Sequence, residues 1–178
     1  ESGFERFLPL NELLHQILSD LPPSQRAALP VYRQRVELLA RSWYERAIQS
    51  RDAELLERLV RQMFPSRWGD NAAMMLGDLA LERGAYEAAR SYWRRIHRER
   101  TWTEVGPDDR RIPEKPLGSD SDSLERREGA LAFYPDSEIV VADIHVRMIL
   151  ASLLSGARNR AAREYDEFVA AHIREWLS

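Results

Sequence analysis

The chain contains no cysteine. That removes disulfide scaffolds, thiolate zinc sites and thiol catalysis together, and leaves the redox compartment open. Lysine is nearly missing too: of the 26 basic residues only Lys115 is lysine, and the other 25 are arginine. Genome base composition accounts for such a bias, since Arg keeps charge and solubility where Lys would; selection for bidentate contacts is the narrower alternative. With 29 acidic residues set against these, the net charge is -3, so no whole-molecule field draws the protein to nucleic acid or anionic lipid. Nor is there a membrane-length apolar stretch. The longest run, residues 139–154, is interrupted by Asp143, His145, Arg147 and Ser152 and falls short of the ~20 residues a span needs; it reads as a central buried helix, with no membrane insertion expected.

The common catalytic signatures are missing as well. There is no Gly-rich phosphate loop, no Gly-x-Ser-x-Gly elbow and no His-Glu-x-x-His pair, so nucleotide, acyl-transfer and helical zinc chemistry have no motif to rest on. His15, His97, His145 and His172 lie far apart and read as structural or surface residues rather than ligands. Asp143 and His145 are two positions apart, which on a helix sends them to different faces. The run Gly118-Ser119-Asp120-Ser121-Asp122-Ser123 is acidic but lacks the ligand spacing and terminal Glu of a calcium loop; it reads as a capped helix start after a solvated loop. No catalytic residue, cofactor or metal is therefore expected, and an enzyme is not.

What is present is helical periodicity. At 178 residues the chain suits one domain, and a domain near this size buries roughly 70% of its unfolded surface. It begins at Glu1 rather than Met, as an excised or processed product would, with any export signal already gone. The organising stretch is 76–96, two helices and a tight turn. The first carries Gly77 on its packing face and stops at Gly84, where a left-handed residue lets the chain reverse. On the second, Tyr86, Ala89, Trp93 and Ile96 share one face. A hairpin of this size cannot bury both faces alone, so it implies stacked neighbours.

Residues 1–30 read as an N-terminal cap, with an amphipathic helix whose stripe is Leu10, Leu13, Leu14, Ile17 and Leu18, ended by Pro22-Pro23. Residues 31–100 hold two hairpins. The helix over 31–50, with Pro30 at its first position, turns Val36, Leu39, Ala40, Trp43, Ala47 and Ile48 inward and leaves Arg33, Arg41, Glu45 and Arg46 to water. Arg51 breaks it and Asp52 caps the next helix, which carries Leu55, Leu56, Leu59, Val60 and Met63. After the loop 64–69, Asp70 is the expected cap of the following helix. The break at Arg51 precedes Gly84 by 33 residues, close to a 34-residue helical repeat. Residues 101–122 form a long Pro/Gly loop. Residues 123–178 carry C-terminal helices: one to about Phe133, started by a capping box of Asp122 with Glu125, then a break at Tyr134-Pro135-Asp136, then a third hairpin. In it Gly156, Ala161, Tyr165 and Phe168 repeat the spacing of Gly84, Ala89, Trp93 and Ile96.

The segment Leu76-Gly77-Asp78-Leu79…Arg83-Gly84-Ala85-Tyr86-Glu87-Ala88-Ala89-Arg90-Ser91-Tyr92-Trp93 resembles a tetratricopeptide repeat, with Leu76, Gly77, Gly84, Tyr86, Ala89 and Trp93 at that family's packing positions. The first hairpin departs from it, placing Trp43 and Tyr44 where Leu76 and Gly77 stand in the second. Over a larger share of the chain, Val31-Tyr32-Arg33-Gln34-Arg35-Val36, Arg51-Asp52, Trp68-Gly69-Asp70, the 76–93 segment and Tyr134-Pro135-Asp136-Ser137 resemble the helical region ahead of pyrroloquinoline-quinone-like β-propellers in exported bacterial proteins. The fold these resemblances imply is all-α, a right-handed α-α superhelix of about seven to nine helices. The propeller resemblance further implies a module from a larger periplasmic or cell-envelope protein.

By the repeat resemblance the first helix of each hairpin lines a concave groove, faced by Arg41 and Glu45, by Asn71, Met74, Asp78 and Glu82, and by Asp143 and Val146. The expected function is a non-catalytic module for protein–protein interaction or for docking within one polypeptide, for instance against a propeller. The alternative from another class is a nucleic-acid-binding helical repeat using the Arg-rich region 94–111, with Trp102 for stacking. Trp93 in the packing stripe and the offsetting Glu99 and Glu104 weigh against it, so no nucleic acid is expected.

Overall fold

A computed structural model describes residues 9–96 and 132–176 of the chain, the side chains of residues 23 and 172–176 excepted. Among them are seven α-helices, one 3-10 turn and no strand, so the protein is all-α: α1 (Leu10–Ser19), the turn Pro23–Gln25, α2 (Ala28–Ser50), α3 (Ala53–Met63), α4 (Gly69–Glu82), α5 (Tyr86–Arg94), α6 (Val141–Leu154) and α7 (Arg158–Trp176). From α2 onward each described helix packs on the next, while α1 lies against α3. The predicted loop 101–122, the capping box of Asp122 with Glu125, His97 and the side chain of His172 lie outside the described residues.

Three helix pairs are joined by the same turn. α2, α4 and α6 are each followed by a residue with positive φ: Arg51 at 53°, Gly84 at 76° and Gly156 at 79°. Beyond each, the next amide donates to a carbonyl five residues back, Asp52 to Ala47 (3.0 Å), Ala85 to Ala80 (2.9 Å) and Ala157 to Ser152 (2.9 Å). These bonds satisfy carbonyls that a helix end otherwise leaves open. The partner helix then starts two residues after each stop, at Ala53, Tyr86 and Arg158. The 33-residue spacing read from Arg51 to Gly84 is thus a spacing of equivalent turns.

The core runs through the middle hairpin. α4 supplies Ala72, Ala73, Leu76, Gly77, Leu79 and Ala80, a run of small and medium residues that lets α3 and α5 approach. Trp93 uses that space: it is fully buried, and its Nε1 donates to the Met74 carbonyl at 3.3 Å. A Cβ added at Gly77 would sit 2.1 Å from that nitrogen. α3 buries Leu56, Leu59, Val60 and Met63, and Asp52 caps it by accepting from the Leu55 amide at 3.0 Å, both as expected.

Several expectations from the sequence are corrected. α2 starts at Ala28 rather than with Pro30 first, and only its small residues Ala40 and Ala47 are buried on the inner face; Leu39 and Ile48 are exposed. Arg33, expected in water, is drawn inside. Its Nε donates to the Pro65 carbonyl (3.0 Å), and its other nitrogens reach Asp136 and, at 3.2 Å, the Tyr134 hydroxyl. Asp70 is not a cap, because Trp68 occupies that position; it is the second residue of α4, buried, accepting from the Asn71 amide (2.8 Å) and the Ser137 hydroxyl (2.9 Å). Burial pushes its carboxyl above the usual range, against those hydrogen bonds.

Two helices present their apolar residues outward. α1 buries His15, Gln16 and Leu18, while Leu10, Leu13, Leu14 and Ile17 are 38–79% exposed. The run read as a central buried helix is α6, yet it buries only Ile144, Ala151 and Ser152 and leaves Val146, Leu150, Leu153 and Leu154 41–54% exposed. In the third hairpin Ala161 is buried like Ala89, but Tyr165 is exposed and does not repeat Trp93. The position equivalent to Gly77 is Ile149, so the third hairpin lacks the glycine that leaves room for Trp93 in the second.

Candidate protein-interaction site

The helices that carry the predicted groove residues are tied together by ion pairs. Arg51, at the end of α2, pairs with Glu82 near the end of α4. Arg147 of α6 reaches across to Asp78 of α4 at 2.8 Å and also donates to the Asp143 carbonyl at 3.1 Å. Arg41 and Glu45 pair with each other at 2.7 Å along α2. Asn71 is exposed and its side-chain amide donates to Asp70 Oδ1 at 3.3 Å, while Met74 is half-buried with its carbonyl taken by Trp93. Asp143 and Val146 are exposed on α6. The structure therefore joins Asp78 with Arg147, and Glu82 with Arg51, and links Arg41 and Glu45 only to one another.

Sequence reasoning stopped one turn short on α6. Leu150, Leu153 and Leu154 continue the exposed face begun by Val146, and they were assigned to the core because the run around them is apolar. The signal that finds them is the turn-to-turn register. The offset from Gly84 to Gly156 carries Asn71 to Asp143, Met74 to Val146, Asp78 to Leu150 and Glu82 to Leu154. The face thus carries paired charges on α2 and α4, and on α6 runs from Asp143 into the apolar Val146, Leu150 and Leu154. An apolar stripe exposed on a folded surface is a candidate contact surface.

No family model, curated protein or solved structure matches this chain. Its function has to be read from the side chains themselves.

Behind the face, two polar clusters hold the stack. In the first, residues 132–137 lie against α5 and the 64–69 loop: the Tyr134 amide donates to the Arg95 carbonyl at 2.7 Å, and Arg95 donates to the Ala132 carbonyl at 3.3 Å while lying over the Phe64 ring at 4.4 Å. The Tyr134 hydroxyl donates to the Ser66 carbonyl at 2.7 Å and its ring meets Phe64 edge-on. Arg33, Asp70, Tyr134, Asp136 and Ser137, which carry much of the resemblance noted above, are here brought into one clasp around the 64–69 loop. Arg33 and the Tyr134 hydroxyl donate to the Pro65 and Ser66 carbonyls of that loop, while Asp136 accepts from Arg33 and Asp70 from Ser137.

The second cluster joins the middle and last hairpins. Arg90 is buried on α5; it donates to the Met148 carbonyl (2.7 Å) and the Ser152 hydroxyl (2.8 Å) and pairs with Glu164 of α7. Arg160 adds bonds to Ser152 (3.1 Å) and Glu87 (2.6 Å). Nothing in the sequence marked Arg90, since arginine is abundant and its partner Glu164 lies 74 residues away.

His15 is buried on α1, with Nε2 3.3 Å from the Gln62 carbonyl, and desolvation lowers its pKa to about 4. His145 sits against the Phe168 ring. Among the described residues no group of three His, Asp or Glu side chains is placed to hold a metal ion. No described helix is long and apolar enough to cross a membrane. Of the Arg-rich region proposed for nucleic acid, Trp93 is in the core and Arg95 in the clasp, Arg94 is exposed, and residues 97–111 lie outside the described residues.

Proposed function

We propose that the chain is a non-catalytic, tetratricopeptide-like helical module that holds a segment of another protein, or of its own longer polypeptide, along the face formed by α2, α4 and α6. The observation that carries this reading is the exposed apolar stripe Val146, Leu150, Leu153 and Leu154, of which Val146, Leu150 and Leu154 fall at the register positions of the groove. Three equivalent turns and the ion pairs linking α2 to α4 and α4 to α6 support a stack in which the first helices run side by side. The neutralised pairs give a polar rim and the α6 stripe an apolar anchor site, the division found in peptide-binding grooves. Docking against a β-propeller of a larger exported bacterial protein is the form of this function that the sequence resemblance favours.

The test is selection of binders from a displayed random-peptide library on the immobilised chain. Peptides that lose binding to Leu150→Asp, while that variant keeps its helical circular dichroism, support the reading. A selection that yields no peptide sensitive to Leu150 sinks it.

A further inference from the structure

The helix α1 is docked on the body through a face that carries a titratable ring. His15 and Gln16 are buried there beside Leu18. The His15 Nε2 lies 3.3 Å from the Gln62 carbonyl in the last turn of α3, and the Ser19 hydroxyl donates to the Phe133 carbonyl. An imidazole keeps such a place only while it is neutral, because the charged ring gives up its hydration on burial.

The groups around the ring oppose its charged form. It packs 6.5 Å, centroid to centroid, from Phe64, whose own ring carries the Arg95 guanidinium at 4.4 Å. Among the described residues no carboxylate pairs with His15. Glu12, a turn earlier on α1, acts on Arg95 instead. On α3, Glu57 accepts from the Tyr92 hydroxyl at 3.2 Å, Arg58 lies over the Trp43 ring, and Glu54 and Arg61 are exposed. In the 132–137 stretch Asp136 is held by Arg33. Burial and Arg95 therefore outweigh the single backbone carbonyl, and the docked ring takes its proton only near pH 4, against 6.5 for a free one.

The chain beyond α1 lets it move by itself. Asp20 closes the helix, Pro22 is extended, and the 3-10 turn Pro23–Gln25 separates it from α2. Lifting α1 thus unwinds no other helix, returns His15 to water and bares the side of the fully buried Phe64 that it covers. We propose that α1 is a proton-operated latch, which opens separately from the rest of the fold and is driven open by proton uptake at His15. Since the docked ring binds a proton more weakly than the free one, opening is insensitive to pH above about 6.5. Below that it becomes more favourable, by about a hundredfold at pH 4.

Segment-resolved amide hydrogen exchange between pH 7 and pH 4, with each rate divided by the intrinsic rate at that pH, tests this. In the parent chain the amides of residues 14–19 are expected to be less protected than those of α4 at every pH, and to lose about a hundredfold of their protection as the pH falls. His15→Gln, neutral throughout, should flatten that fall while α1 still opens before α4. Arg95→Gln removes the opposing charge and should make the fall smaller, which decides the matter if His15→Gln does not fold. Equal protection of α1 and α4 overturns the separate opening. An undiminished fall in His15→Gln, or in Arg95→Gln where that variant stands alone, overturns His15 as the group that drives it.

Discussion

At the scale of single residues, the middle hairpin depends on one close pairing. Trp93 is buried because Gly77 leaves no Cβ in its way, and its indole N–H finds the Met74 carbonyl. Gly77→Ala must push the ring aside and is expected to cost about 1–3 kcal/mol by overpacking, while Trp93→Ala leaves a cavity and costs about 3–5 kcal/mol. Urea melts followed by circular dichroism read both, and equal stability of the Gly77→Ala chain would remove the pairing from the account. His15 gives a second expectation. Its folded pKa of about 4 lies below the unfolded 6.5, so the unfolded chain binds the extra proton as pH falls. The stability it supports is therefore present above about pH 6.5 and drains away toward pH 4, at about 1.4 kcal/mol per unit and about 3 kcal/mol in all. Asp70, whose folded pKa is raised, acts in the opposite direction near the bottom of that window. The difference between parent and His15→Gln melts across the window isolates the histidine; parallel stability curves would contradict its burial as a neutral ring.

At the scale of helices and turns, three stops share one geometry and two use glycine. Arg51 holds φ at 53° with a side chain, a conformation that costs an L-residue about 1–2 kcal/mol. Its exposed pair with Glu82 returns only a fraction of that. Arg51→Gly is therefore expected to raise stability by about 0.5–1 kcal/mol, a rise of a few degrees in the melting temperature. A fall would mean that the pair with Glu82 matters more than the turn. The turns were legible in the sequence because glycine and the Arg-Asp pair act locally. The exposure of the helices between them was not: the apolar runs of α1 and α6 look alike whether they face a core, a groove or water.

At the scale of the molecule, adjacent hairpins are joined by a few buried polar contacts. Arg90 and Glu164 connect α5 to α7, with the arginine almost fully buried and the carboxylate mostly so. Glu164→Ala leaves that guanidinium without its counter-charge and is expected to cost about 3–5 kcal/mol; Arg90→Met combined with Glu164→Leu removes both charges and should recover most of the loss. Urea melts of the three chains decide it, and a double variant no better than the single one would show that the pair is held by more than charge compensation. Loosening this contact is expected to speed amide exchange in α6 and α7 before α3 and α4.

The sequence by itself determined the all-α class, the hairpin of α4 with α5, the Asp52 cap and the stops at Arg51, Gly84 and Gly156. Each follows from side-chain period, capping chemistry or backbone freedom within a few residues. Tertiary structure alone decided that Arg33 and Asp70 enter the clasp with Tyr134, Asp136 and Ser137, that Arg90 meets Glu164, and that the stripes of α1 and α6 face outward. Those outcomes depend on which surfaces distant segments cover and on where buried carbonyls need donors. Hydrophobic period states which side of a helix prefers to leave water; only the packed chain settles which side has something to lie against.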